Sequence, residues 1–251
     1  MNYEKLHDYS TGETQKIALI DSGISTYLDL DEKSGFSLVD DNIYDINGHG
    51  TMMYSIIKGY KKEILGISPD AEIISIKILD EEESVTPTMI YDAIKLAIKK
   101  EATIINLSVS SYKYNEKIAS AIEEANQKNI TVVSSSGDYS DTKMMFPANV
   151  NGVVSVGALG KDLKVLEMTS GADSTTINAP GGDINTIDTS KEVFTSSGTS
   201  QATALVSGYI ALLKDFAIKE NIELSNSDIL HYLKLIKQEK MSYAKVFKEI
   251  K

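Results

Sequence analysis

The sequence predicts an α/β fold: a mainly parallel, twisted sheet with helices on both faces. Short apolar runs suited to buried strands alternate along the chain with stretches whose apolar residues recur at helical spacing, the arrangement of successive βαβ units. The runs end in turns rich in glycine, aspartate, asparagine and serine, and in open sheets ligands bind beyond the carboxyl ends of the strands. With 251 residues, 42% of them hydrophobic, the chain can bury a sizeable core. No linker, internal repeat or low-complexity tract divides it, so a single domain is expected over residues 1–251.

Residues 1–15 are polar and of mixed charge and read as a leader to the first strand, residues 16–20, which stops at Asp21-Ser22-Gly23. An Asp- and Asn-rich loop leads to Asp45-Ile46-Asn47-Gly48-His49-Gly50-Thr51, after which Met52, Met53, Ile56 and Ile57 begin a helix. Residues 73–79 form a strand closed by the acidic run Asp80-Glu81-Glu82-Glu83. Thr86 and Pro87 supply an N-cap and a first helical residue, and Met89, Ile90, Ala93, Ile94, Ala97 and Ile98 a stripe that packs on the core. Strands follow at 103–107, 130–133 and 153–156, with a helix marked by Ile118, Ala121, Ile122 and Ala125. Asn178-Ala179-Pro180-Gly181-Gly182 reads as a turn-rich loop. Leu205, Val206, Tyr209, Leu212, Leu213 and Phe216 then mark one face of a helix that begins near Ser200, and residues 226–236 read as the last, amphipathic helix.

Composition removes several function classes. A net charge of −11 argues against a nucleic-acid backbone or an anionic membrane surface as the main partner. Every basic side chain is lysine, so no guanidinium clamp for phosphate or carboxylate exists. Without cysteine there is no disulfide, thiolate nucleophile or thiolate metal site. Nothing in the sequence calls for a cofactor. No apolar run is long enough to span a bilayer and residues 1–15 hold no signal core, so the cytoplasm is the expected compartment.

Three turns hold the residues of acyl-transfer chemistry. Ser200 lies where the unpaired N–H groups and positive end of a helix favour an oxyanion, although such a serine on its own is an ordinary N-cap. Asp21 ends a strand, and His49 sits between two glycines that allow close packing on its ring. A serine hydroxyl needs a neutral imidazole to take its proton, and a carboxylate to orient that imidazole. His7 and His231 carry no such context.

Asp21-Ser22-Gly23, Gly48-His49-Gly50-Thr51 and Gly198-Thr199-Ser200-Gln201-Ala202, in this order, resemble the three signature motifs of the subtilisin-like serine proteases, the subtilases. Gly66-Ile67-Ser68-Pro69, Asn106-Leu107-Ser108-Val109-Ser110, Phe146-Pro147 and Asn178-Ala179-Pro180-Gly181 are similar to further family segments, and the resemblance runs over roughly residues 16–250. It implies a subtilisin-like fold and a triad of Asp21, His49 and Ser200. It implies that Ser108, Val109 and Ser110 pair with substrate backbone as an added strand and wall the first specificity pocket, which Gly137 and Met145 border. Phe146-Pro147 matches a site that is often cis in this family.

The departures set further expectations. Pro and His are missing after the nucleophile, where the chain has Gln201, Ala202, Thr203, Ala204 and Leu205. Met145 falls where many relatives have glycine, so the first pocket should be shallow and prefer small or medium residues. Glu81, Glu82 and Glu83 should favour lysine or arginine further upstream. Asp138 stands where the family has the asparagine that donates to the oxyanion alongside the Ser200 backbone; only a protonated carboxyl could donate, a form that burial would favour. The short segment Gly59-Tyr60-Lys61-Lys62-Glu63 replaces a calcium-binding loop, so no metal is expected. The absence of a recognisable signal or propeptide implies an intracellular enzyme or a trimmed chain. The resemblance thus implies a serine endopeptidase acting on a peptide or unfolded protein, with a modified precursor such as a lanthipeptide and its leader as the specific case. The competing reading is a pseudoprotease that binds peptides without cutting them.

Overall fold

The structure is a computed structural model that describes residues 3–28, 30–79 and 84–251. The acidic run at 80–83, and with it the expectation for Glu81, Glu82 and Glu83, lies outside the described residues. Strands β1 (Lys16–Asp21) and β2 (Gly35–Ser37) precede helix α1 (His49–Lys58). A small hairpin, β3 (Gly59–Tyr60) with β4 (Ile64–Leu65), leads to β5 (Glu72–Lys77), α2 (Pro87–Lys99), β6 (Ile104–Leu107), α3 (Glu116–Gln127) and β7 (Thr131–Ser135). Then come β8 (Val154–Leu159), β9 (Ile177–Pro180), the hairpin β10 (Ile184–Ile187) with β11 (Val193–Ser196), and helices α4 (Thr199–Lys219), α5 (Asn226–Lys237) and α6 (Tyr243–Glu249). Seven strands form one sheet in the order β2-β5-β1-β6-β7-β8-β9, every pairing parallel.

Side chains of a parallel sheet are buried on both faces, and successive residues point to opposite sides. In β1, Ile17 and Leu19 join the core under α1, α4, α5 and α6, while Ala18 and Ile20 join the core under α2 and α3. Helix α2 starts at the expected cap, where Thr86 Oγ1 accepts the Met89 N–H at 3.2 Å; α3 starts at Asn115, a cap the sequence reading did not name, whose Oδ1 accepts the N–H groups of Lys117 and Ile118 at 3.0 and 3.2 Å.

Four expectations need correction. Residues 177–180 form the edge strand β9, with Ile177 and Ala179 buried and Pro180 at its end, where a missing N–H does no harm. The helix at 226–236 is not the last, since α6 follows it and buries Val246 and Phe247. Helix α4 buries nearly its whole circumference, polar residues included, because it runs beneath the sheet and under the flanking helices. Finally, residues 3–15 are no loose leader. Leu6 is buried, Tyr9 stacks on Phe247 and meets Phe216 edge-on, and the buried Asp215 carboxylate of α4 accepts bonds from Ser10 Oγ (2.6 Å) and Thr14 N (3.0 Å). Burial works to raise the Asp215 pKa, but the bonds from Ser10, Lys219 and Thr14 outweigh it and hold the group below the usual carboxylate value.

Candidate active site

Asp21 ends β1 and His49 opens α1, and the two side chains meet. The Asp21 carboxylate accepts His49 Nδ1, with Oδ1 at 2.8 Å and Oδ2 at 3.0 Å. The carboxylate is buried and the imidazole is 27% exposed. One oxygen of Asp21 also receives the Ser22 N–H at 2.8 Å, which fixes its plane. The turns that carry the pair are locked together: Ser22 Oγ accepts the Gly50 N–H at 2.8 Å, and a Cβ on Gly50 would stand 2.2 Å from the Gly23 carbonyl oxygen. Only glycine at position 50 permits that approach.

Beneath His49 lies a carboxylate that sequence reading passed over. Asp45 is buried, and its Oδ1 accepts the N–H groups of Asn47 (2.9 Å) and Gly48 (2.8 Å) while Oδ2 accepts the N–H (2.9 Å) and Oγ1 (2.5 Å) of Thr51. Four donors on one carboxylate hold the backbone on both sides of His49. The available signal was Asp45 two residues ahead of Asn47-Gly48, the pattern of an Asx turn.

Ser200 sits half-buried in the first turn of α4, at the same carboxyl edge of the sheet. The preceding residue, Thr199, donates its N–H to Asp138 Oδ1 at 2.9 Å, and Oδ2 of Asp138 faces Gly198. Asp138 is exposed, so the burial expected to favour its protonated form is absent; the residue follows β7 on an open loop. Ser108, Val109 and Ser110 follow β6 as a half-buried segment. Asn106 donates to Ser108 Oγ at 3.2 Å and accepts Ser207 Oγ of α4 at 2.9 Å, so the segment is tied to the helix that carries Ser200. Met145 is buried against Gly137: a Cβ there, at φ +103°, would stand 2.3 Å from Met145 Cγ. The Phe146-Pro147 peptide is cis.

His49, Asn47, Ser108, Val109, Ser110, Tyr139, Phe146 and Pro147 line one cleft of about 720 Å³, extended by apolar side chains that include Leu79, Ile90 and Ile118. A profile of the Subtilase family matches residues 12–242. The chain belongs to the subtilase family. Among similar proteins, the thermostable alkaline protease of Halalkalibacterium halodurans is 29% identical over 219 residues, 85% of this chain and 61% of the relative. The minor extracellular protease Epr of Bacillus subtilis is 33% identical over 211 residues, 81% of this chain and 32% of the relative, so the chain spans about three fifths or less of these two proteins. Subtilisin Savinase of Lederbergia lenta is 29% identical over 89% of this chain and 83% of its own sequence. Two solved structures share the fold: the prenylagaramide maturation protease PagA, with a TM-score of 0.79, 24% identity and coverage of 90% of this chain and 84% of that one, and the protease domain of PatA, with 0.78, 23%, 88% and 86%.

This subtilase carries other buried charges that sequence reading did not single out. Lys77, the register partner of Asp21 on β5, is buried and donates to the Asp40 carboxylate (3.0 and 3.2 Å) and the Asn42 carbonyl (3.1 Å). Lys214 on α4 donates to the carbonyls of Thr103 (3.0 Å) and Asn129 (2.8 Å), and burial pushes its ammonium down to about 8. The lysines of the segment that replaces the calcium loop, Lys61 and Lys62, sit exposed at the turn between β3 and β4. Among the described residues no group of three or more His, Cys, Asp or Glu side chains is arranged to hold a metal ion, and no helix is long and apolar enough to cross a membrane.

Proposed function

We propose that this subtilase is a serine endopeptidase in which Ser200 is the nucleophile, His49 the general base and Asp21 the carboxylate that orients it. The observation that carries this reading is the two-oxygen grip of buried Asp21 on His49 Nδ1 at the wall of the cleft. That grip fixes the tautomer whose lone pair is on Nε2. The imidazole takes the Ser200 proton as the oxygen attacks the scissile carbonyl, and then hands it to the departing amine; water repeats the cycle on the acyl-enzyme. Ser200 stands at the N-terminus of a 21-residue helix, whose outward N–H groups and dipole favour the oxyanion.

The substrate we infer is a particular peptide, cut to mature a modified precursor of the lanthipeptide kind, in the cytoplasm. The likeness to PagA, itself described as a maturation protease, supports a processing role. The buried Met145 beneath Gly137 supports a restricted first pocket, and a cysteine-free chain has no need of an oxidising compartment.

One observation favours the second reading, a peptide-binding pseudoprotease: Asp138 presents a carboxylate next to the nucleophile's turn, where a donor would serve the oxyanion. A fluorophosphonate probe separates the two. The endopeptidase forms an adduct that Ser200→Ala abolishes along with peptide cleavage. No adduct on the native protein, with the fold intact, supports the binder.

A further inference from the structure

A second cavity, of about 720 Å³, opens at the amino ends of the strands, the end of the sheet opposite Asp21. Lys214 of α4 lines it, buried, with its ammonium held by two backbone carbonyls, Thr103 O at 3.0 Å and Asn129 O at 2.8 Å. An ammonium has three N–H donors, so one is left over, and no acidic side chain among the described residues pairs with this charge. Buried charges are ordinarily paired. Gln15, in the same lining, is 1% exposed, and its Oε1 accepts no hydrogen bond from any described residue. One residue links the two groups: Thr103, whose carbonyl holds Lys214, exchanges hydrogen bonds with Lys16, the neighbour of Gln15.

The rest of the lining is mostly aliphatic, from Ile98, Ile130, Ala217, Ile218, Ile222 and Leu224. Its other charged side chains, Lys99, Glu101, Lys128 and Glu223, are exposed and equal in number of each sign. Lys99 and Lys128 stand at the ends of α2 and α3, where they offset the negative ends of those helices. The walls are fixed: the Asn129 side chain donates to the Leu224 carbonyl at 3.2 Å and accepts the Asn226 N–H at 2.9 Å, which joins the loop after α3 to the start of α5. A preformed cavity with aliphatic walls and a few convergent polar groups is the usual form of a small-molecule site. Here the polar groups ask for two things at once, an anion for Lys214 and a donor for Gln15.

We propose that this cavity binds an apolar amino-acid residue with a free carboxylate, either as an amino acid or as the last residue of a peptide. The carboxylate takes the remaining Nζ–H of Lys214, the α-nitrogen donates to Gln15 Oε1, and the side chain lies on the aliphatic wall. A plain hydrocarbon would leave both polar groups unmet, and a simple carboxylate would leave Gln15 without a donor. The cavity shares no lining residue with the proposed triad, so the site does not depend on the endopeptidase reading.

Titration calorimetry on the native protein tests this with N-acetyl-leucine, leucine, leucinamide and isocaproate. N-acetyl-leucine or leucine should bind. Leucinamide, which lacks the carboxylate, should bind about 10- to 100-fold more weakly, and isocaproate, which lacks the nitrogen, about 3- to 10-fold more weakly. Tighter binding of leucine assigns the site to the free amino acid, and tighter binding of N-acetyl-leucine assigns it to a peptide terminus. Near pH 8 Lys214 is partly deprotonated, so a carboxylate beside it should draw in a proton, and the heat of N-acetyl-leucine binding should differ between phosphate and Tris buffers. Lys214→Met should abolish binding. Ile218→Asp, at a position 55% exposed where folding is not at risk, puts a like charge on the wall and should weaken binding about tenfold. No binding of leucine or N-acetyl-leucine at about 10 mM overturns the proposal. So does equal affinity for leucinamide or isocaproate, equal heat in the two buffers, or binding left unchanged by either substitution in a folded protein.

Discussion

Asp138 accepts the backbone N–H of Thr199 at 2.9 Å, one residue before the proposed nucleophile. An asparagine at this position would keep that bond through its amide oxygen and turn its NH₂ toward the place Oδ2 now holds. Asp138→Asn is therefore expected to preserve the turn and add an oxyanion donor. Removal of one such donor from a subtilisin lowers turnover about 10²–10³-fold, which bounds the gain. An increase of about tenfold in kcat is expected at both pH 6 and pH 8, because an amide N–H donates where a carboxylate oxygen accepts. A variant slower at both pH values, with an unchanged melting curve, would assign Asp138 to the turn alone.

Asp45 supports His49 from below, and its four donors cannot be satisfied by an amide that offers one oxygen. Asp45→Asn should lower stability by about 3 kcal/mol, the scale of losing bonds to a buried charge, and lower kcat as the His49 loop loosens. Thermal unfolding and peptide kinetics check both. A melting temperature within a degree of the native protein would show that the carboxylate is dispensable.

Met145 gives a prediction about the first pocket. Met145→Gly should open space beneath Gly137 and raise kcat/KM for peptides with Phe or Leu before the scissile bond relative to those with Ala. Its cavity should reduce stability by about 2–4 kcal/mol. A library profile for the native protein dominated by Phe or Tyr at the first position would contradict the shallow pocket.

Lys214 makes stability depend on pH in an uncommon direction. Burial lowers its pKa from 10.5 to about 8, so between those values the unfolded chain binds the proton that the folded chain has released. Stability from this group therefore rises with pH across that window. Tyrosines raised by burial, Tyr209 and Tyr243 among them, act oppositely only above pH 10. From pH 7.5 to 9.5 the native protein should gain roughly 1–2 kcal/mol over Lys214→Met. Denaturant titrations that run parallel in the two proteins would rule this out.

What was legible in the sequence was what is local. The parallel sheet showed because buried strands such as Ile17-Ala18-Leu19-Ile20 are apolar without interruption, and the Asp21, His49 and Ser200 turns showed because a glycine lies within two residues of each. Strand β9 did not, since only Ile177 and Ala179 alternate before Pro180, and so short a run does not differ from a loop. The order in residues 3–15 was hidden for a different reason. Ser10 reads as solvent-facing until Asp215, some two hundred residues later, arrives to accept hydrogen bonds from its hydroxyl and from the Thr14 backbone N–H. Asp45 was passed over because two of its four donors, the N–H and hydroxyl of Thr51, reach it only once the first turn of α1 has formed.

Helix α4 lies at the centre of the molecule, buried almost all round, with Ser200 at its tip, whereas Val109, Ser110, Asp138 and Tyr139 stand on loops at the rim. Reactivity and selectivity are thereby housed in parts of the chain with different tolerance for mutation. Drift in the rim loops, where substitutions seldom endanger folding, can alter the lining of the cleft, while the proposed nucleophile is kept in place by the residues least free to vary. New peptide preferences are thus open to such a protein by small, separable steps.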